Sequence, residues 1–253
     1  MVQGIEKFKE KFSNYVGQYV FIGGTACDII LNEYGTPFRS TKDFDIVLII
    51  EALNEEFISE FISFIEVGEY RHINKGTGEN QFYRFEKPQN SQYPYMIELF
   101  SRRPDYLKPL EQRLAPIHVS DDVISLSAIL LDDNYYQLLK QGSIEINGIS
   151  VLDLEYIILF KIKAWIDLSN RRNSGEQVDS RNIKKHKNDI LRLSVNIEPD
   201  KKIQVPQIVL NDVNKFLEQI KEQPINLKDL HIEGVQYEDI IEILSICYIS
   251  EEL

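Results

Sequence analysis

Residues 21–48 run FIGGTACDIILNEYGTPFRSTKDFDIVL. An apolar dipeptide ends in Gly23-Gly24, helix-spaced Ala26, Ile29 and Ile30 follow, and Gly35 closes the segment. A polar loop then leads to Asp43-Phe44-Asp45 at the head of an apolar run. In a strand successive side chains alternate faces, so Asp43 and Asp45 point one way while Phe44 and Ile46 point into packing. Two carboxylates on one face at a strand mouth repel each other unless a cation bridges them. A hard cation such as Mg²⁺ or Mn²⁺ takes oxygens of this kind, completed by substrate phosphates and water. Gly23-Gly24 ahead of a helix lets a phosphate approach backbone N–H groups at the positive helix end. Thr25 adds a hydroxyl donor there. The stretch predicts a triphosphate cradle beside a metal site.

A third carboxylate stands further on, in YPYMIELF at 93–100. Glu98 shares a strand face with Met96 and Phe100, where a charge without a partner is costly. With Asp43 and Asp45 it would complete a two-metal arrangement that activates an attacking hydroxyl and stabilises the leaving oxygen. An edge-strand glutamate in water fits the same residue.

Around this centre the chain alternates helix and strand. Residues 4–16 and 53–66 have helical spacing, 19–22 and 43–50 read as strands, and 68–86 as strands broken by the turn NKGTGEN. Past Arg102-Arg103-Pro104 the texture becomes mostly helical: 120–131, 134–142, 153–168, 180–194, 206–221 and 237–249. A hairpin is expected at 143–152, with Asn147-Gly148 at its turn. The expected architecture is α/β (α+β), a mixed sheet flanked by helices over 1–115 followed by a mostly helical domain over 116–253.

Bulk composition narrows the class. The 253 residues are 43% hydrophobic with a net charge of −12, which suits one large or two modest globular domains and argues against a generic nucleic-acid binder. Between 171 and 192 seven Lys/Arg face three Asp/Glu, a local balance of +4 that leaves −16 elsewhere. A basic island in an acidic chain suits a local phosphate site better than a broad nucleic-acid face. No signal peptide and no membrane-length apolar run is recognisable. The two cysteines, Cys27 and Cys247, lack partners at metal spacing and read as buried thiols, making the cytoplasm the default compartment.

GGTA, FRSTKDFD and IEL together resemble the nucleotidyltransferase superfamily, whose signature is GG[ST], an Asp-x-Asp strand and a later acidic strand. The Arg39-x-Thr41-x-Asp43-x-Asp45 version is most similar to the AbiEii-like abortive-infection toxin family and its minimal-nucleotidyltransferase relatives. That family carries K-x-x-A on one C-terminal helix and K-D-x-x-D-[IL] on the next. Lys161 to Ala164 matches the first; Lys185 to Ile190 matches the second, with His186 in place of the first Asp, and Asp167 stands where many relatives have Arg. The resemblance spans roughly 19–193.

It implies a mixed sheet with a helical domain closing the nucleotide cleft. By it Asp43 and Asp45 hold Mg²⁺ or Mn²⁺, with Glu98 as third ligand or base. Gly23, Gly24, Thr25, Arg39 and Thr41 hold the nucleotide, Lys161 and Lys185 neutralise the triphosphate, and Asp189 positions a lysine or the acceptor. The implied reaction moves a nucleoside monophosphate from an NTP to an acceptor hydroxyl, tRNA or other RNA, with pyrophosphate released and an antitoxin protein as partner. Two other readings stand beside it: a small-molecule, aminoglycoside-like nucleotidyltransferase, favoured by the acidic surface, and a non-catalytic nucleotide-binding regulator.

Overall fold

Ile5, Phe8 and Phe12 line one side of the helix α1 (Ile5–Phe12) and are buried, as their spacing requires. Their partners come from the strands β1 (Tyr19–Ile22) and β2 (Asp43–Leu48) and from the helix α3 (Glu55–Val67); α2 (Gly23–Glu33) links the two strands. The Phe8 ring stacks on Phe12 at 4.3 Å and meets Tyr19, Phe21, Phe44 and Phe64 edge-on at 4.9 to 5.8 Å. Asn54 starts α3 by accepting the Phe57 N–H at 2.8 Å, and Glu55 and Glu56 sit at its positive end. Phe57, Phe61 and Phe64 then turn into the same cluster. The computed structural model describes residues 2–71, 83–102, 114–117 and 126–251.

The sheet adds β3 (Arg84–Glu86), β4 (Met96–Ser101), β5 (Leu114–Ile117), β6 (Leu126–Leu130), β7 (Ser143–Ile146) and β8 (Ile149–Leu152). Its eight strands run β5-β6-β4-β2-β1-β8-β7, with β3 also on β4. The β2–β4, β4–β6 and β1–β8 pairs are parallel and the remainder antiparallel, a mixed sheet as expected. On β2 the alternation holds: Phe44, Ile46 and Leu48 are fully buried, while Asp43 and Asp45 are half-buried. Asn147 and Gly148 take φ of 52° and 81° at the β7–β8 turn, the left-handed pair that a two-residue hairpin needs.

Two expectations change, the state of 126–130 and the position of the division. Residues 126–130, read as helix, form β6 between β4 and β5; five residues, four of them apolar, are too few for a period that separates the two states. The turn at 74–80 and residues 118–125 lie outside the described residues. The chain divides at Asp153/Leu154 rather than near 115, because β6, α4 (Asp133–Gln141), β7 and β8 belong with the sheet.

The second unit contains α5 (Leu154–Asn173), α6 (Ser180–Ser194), β9 (Ile203–Val205), α7 (Gln207–Glu222), α8 (Tyr237–Cys247) and β10 (Tyr248–Ser250). It is mostly helical, with a two-stranded parallel β9–β10 ribbon that helical periodicity does not announce. Asp179 caps α6, a Gln236/Asp239 capping box opens α8, and Trp165 on α5 meets Phe216 on α7 edge-on at 5.0 Å. No described helix is long and apolar enough to cross a membrane.

Because Phe8 joins α1 to both strands and to α3, Phe8→Ala should cost about 3–5 kcal/mol. Urea unfolding followed by far-UV circular dichroism measures it, and an unshifted midpoint would contradict this account of the core.

Candidate active site

Gly23 leaves β1 with φ +65°, a left-handed value natural to glycine. A Cβ there would collide with the Asp45 carboxylate, reaching its Cγ at 2.9 Å. A Cβ on Gly24 would approach Thr41 Oγ1 at 2.7 Å and Arg39 Nη2 at 3.6 Å. The glycine pair, Arg39, Thr41 and Asp45 are thus gathered at one end of β1 and β2, and Arg39 lies over the Phe38 ring at 5.0 Å.

Thr25, expected as a phosphate donor, lies at the start of α2. Its hydroxyl donates to the Asp43 carbonyl at 2.7 Å, and the residue has no exposed surface. A hydroxyl has one proton to give; here it ties the first turn of α2 to the mouth of β2. Cys27, one turn below, donates its thiol to the Gly23 carbonyl at 2.9 Å.

Across the sheet Asp45 is in register with Glu98 on β4, and Glu98 with Arg84 on β3. Arg84 Nε donates to Glu98 Oε1 at 2.8 Å, and Nη2 joins the same oxygen. Burial works against the Arg84 charge, but the Glu98 carboxylate outweighs it and holds the guanidinium above its ordinary pKa. Glu98, expected as a third metal ligand or base, is therefore engaged by a cation. Among the described residues no three His, Cys, Asp or Glu side chains converge as a ligand set. Asp43 and Asp45, with oxygen donors on one half-buried face, fit a hard divalent cation.

The second unit holds the other expected residues. Lys161 on α5 donates to Asp189 Oδ2 on α6 at 2.8 Å, with 4% and 0% of their side chains exposed. Arg192 Nη1 lies 3.9 Å from the other Asp189 oxygen. Lys161 is thus a buried cation joining two helices, whereas Lys185 is exposed on α6. Burial, and then the neighbouring Lys184, lower the Lys187 pKa.

Two clusters lay beyond sequence reasoning. The Arg84–Glu98 pair joins strands across a loop, with only the alternation of YRFE as a hint. Glu51 accepts from Tyr136 at 2.7 Å and from Arg102 at 2.9 Å, tying the chain after β2 to β4 and α4. Its carboxyl sits below its ordinary value: burial opposes this, but the Tyr136 and Arg102 hydrogen bonds prevail.

A family profile described as nucleotidyl transferase AbiEii toxin, type IV TA system, matches residues 9–232. No curated protein sequence matches the chain. Among solved structures, antibiotic-resistance factor ANT(2'')-Ia is 13% identical with a TM-score of 0.38, covering 90% of this chain and 94% of its own. The Megavirus polyadenylate synthase is 12% identical with a TM-score of 0.36, over 86% of this chain and 37% of its own. Likenesses of that degree carry no argument about substrate.

Two outcomes check this geometry. Gly23→Ala, forced to φ +65° against Asp45, should lose nucleotidyl transfer and about 1–2 kcal/mol of stability; wild-type turnover would contradict the contact. Lys161→Ala should cost about 3–5 kcal/mol by stranding the Asp189 charge. Lys161→Met with Asp189→Leu should unfold at a higher urea concentration than Lys161→Ala, and the reverse order would refute a structural pair.

Proposed function

The chain belongs to the AbiEii nucleotidyl transferase toxin family, and from that premise we propose that it moves a nucleoside monophosphate from an NTP to an acceptor hydroxyl on RNA, tRNA among the candidates. The observation that carries the reading is the seating of the Asp45 carboxylate against Gly23, with Asp43 beside it on the same face of β2. Backbone N–H groups at Gly23 and Gly24 and the side chains of Arg39 and Thr41 receive the triphosphate at the start of α2. The acceptor oxygen forms a bond to the α-phosphorus as the bond from that phosphorus to the bridging oxygen breaks, and pyrophosphate leaves.

A Mg²⁺ or Mn²⁺ ion on Asp43 and Asp45 would neutralise phosphate charge and lower the pKa of the acceptor hydroxyl. Asp43 and Asp45 orient the reacting groups, and a carboxylate of β2 takes the hydroxyl proton. Phe44 and Ile46, packed beneath, keep both aspartates at fixed height, so attack finds them already in place. Within the second unit, the Lys161–Asp189 pair fixes α6 to α5. The type IV toxin family brings an antitoxin as counterpart. Buried, unbridged Cys27 and Cys247 suit the cytoplasm, with burial raising the Cys247 thiol to about 12.

The test incubates the protein and Mg²⁺ or Mn²⁺ with each α-³²P-labelled NTP and a pool of tRNA and total RNA. Label should appear on RNA and fall at least about 100-fold in Asp43→Ala/Asp45→Ala, the size of loss that removal of transition-state charge stabilisation gives. Equal labelling by the double variant would refute the assignment. Label found only on added small-molecule hydroxyls would replace RNA as the acceptor.

A further inference from the structure

Residues 36–42 join α2 to β2 without regular structure, and backbone bonds fix both ends of the loop. The Thr36 N–H donates to the Leu31 carbonyl at 2.8 Å near the close of α2, and the Lys42 carbonyl accepts the Tyr95 N–H at 2.9 Å at the head of β2. Between these points the chain returns along α2, whose 11 residues span roughly 16 Å, to the first turn of the helix. A Cβ on Gly24 would meet Thr41 Oγ1 at 2.7 Å, Thr41 Cβ at 3.2 Å and Arg39 Nη2 at 3.6 Å. Gly24, unlike Gly23, has no positive φ. Its missing side chain serves the close approach of this loop.

The loop thereby carries a cation to the positive end of α2. The helix dipole works against a cation there, and a neighbouring ring works for it. The Arg39 guanidinium carbon lies 5.0 Å from the centroid of Phe38, within reach of a cation–π contact. Both residues are half-buried, where such a contact is stronger than in open water. An arginine side chain has many rotamers, and a ring that holds one of them removes part of the ordering cost of binding an oxyanion. Phe38 stands just ahead of the R-x-T-x-D-x-D pattern and outside it.

We infer that Phe38 is a positioning residue of the nucleotide site: its ring holds the Arg39 guanidinium beside Gly24, at the first turn of α2, where the NTP phosphates are received. The inference rests on the nucleotidyl-transfer reading, which gives Arg39 to the triphosphate. It adds that this arginine is ordered before the nucleotide arrives. Phe38 then acts on NTP only through Arg39. Its loss weakens the ground state and the transition state alike, which raises KM and leaves kcat in place. Tyrosine offers the same ring face, whereas leucine fills similar space without one.

The test compares wild type, Phe38→Leu, Phe38→Tyr, Arg39→Met and Phe38→Leu/Arg39→Met. It reads calorimetric binding of the α,β-methylene analogues of ATP, GTP, CTP and UTP with Mg²⁺, which needs no turnover, and kcat and KM for NTP in the transfer assay. Phe38→Leu should weaken binding of the analogue that wild type takes, and raise KM, about 3- to 10-fold, the worth of a partly desolvated cation–π contact. Its kcat should stay within about twofold of wild type, and Phe38→Tyr should bind within about twofold of wild type. Arg39→Met should lose about 10- to 100-fold, a charge-assisted hydrogen bond to phosphate. The double variant should bind as Arg39→Met does, because the second substitution has nothing left to act through. Three results would overturn the inference: losses that multiply in the double variant, Phe38→Leu that binds like wild type, or wild type that binds none of the analogues. Failure of the underlying reading shows separately, as wild type that binds an analogue and transfers no label to any acceptor; the binding cycle still decides the role of Phe38.

Discussion

Gly23 has no Cβ, and the Asp45 carboxylate occupies the space that one would fill. The arrangement of the first unit's candidate site depends on that contact. It fixes the end of β1 against the mouth of β2 and forces the chain through a positive φ into α2. The same turn brings backbone N–H groups and a carboxylate to one place, which opposes their charges across a gap that a phosphate and its counter-ion can fill. Thr25 locks the turn from below through the Asp43 carbonyl, and the phenylalanine cluster under Phe44 holds β2 in position. Packing and site are therefore one construction, because each residue of Asp-Phe-Asp faces either the core or the chemistry.

Electrostatics divide the residues of the first unit's site by role. Asp43 and Asp45 share a half-exposed face of β2, and Glu98 on β4 pairs with Arg84. The pairing lowers the mutual repulsion that three adjacent carboxylates would suffer. In the second unit the Lys161–Asp189 pair lies almost wholly out of water, where such pairs are costly to break and specify one helix arrangement. The cations still exposed on α6, Lys184 and Lys185 among them, belong to the basic island of an otherwise acidic chain.

Much of this was legible in the sequence, for reasons that differ by residue. Asp43 and Asp45 could be placed because strand alternation is a local rule, and the glycine turn because GGT stands about 20 residues ahead of the R-x-T-x-D-x-D that opens an apolar strand. The mixed sheet and the helical remainder followed from periodicity and from the motif spacing. Partners distant in the chain were out of reach. Nothing near Thr25 announces that its hydroxyl serves a carbonyl 18 residues on, and nothing near Glu98 names Arg84 across an intervening loop. Spacing does not announce the burial of Lys161: α5 is buried on most sides and the counter-charge comes 28 residues later. Leu126–Leu130 was misread because so short a mostly apolar segment fits a buried helix as well as the strand it forms.

The most direct test of the central claim, that the two aspartates of β2 beside the glycine turn form the metal–nucleotide site, is an electron paramagnetic resonance titration of Mn²⁺. Wild type, Asp43→Asn and Asp45→Asn would each be titrated with and without NTP. The account predicts Mn²⁺ binding by wild type that tightens with NTP and is lost in either variant. Binding unchanged in both variants would place the metal elsewhere and contradict it.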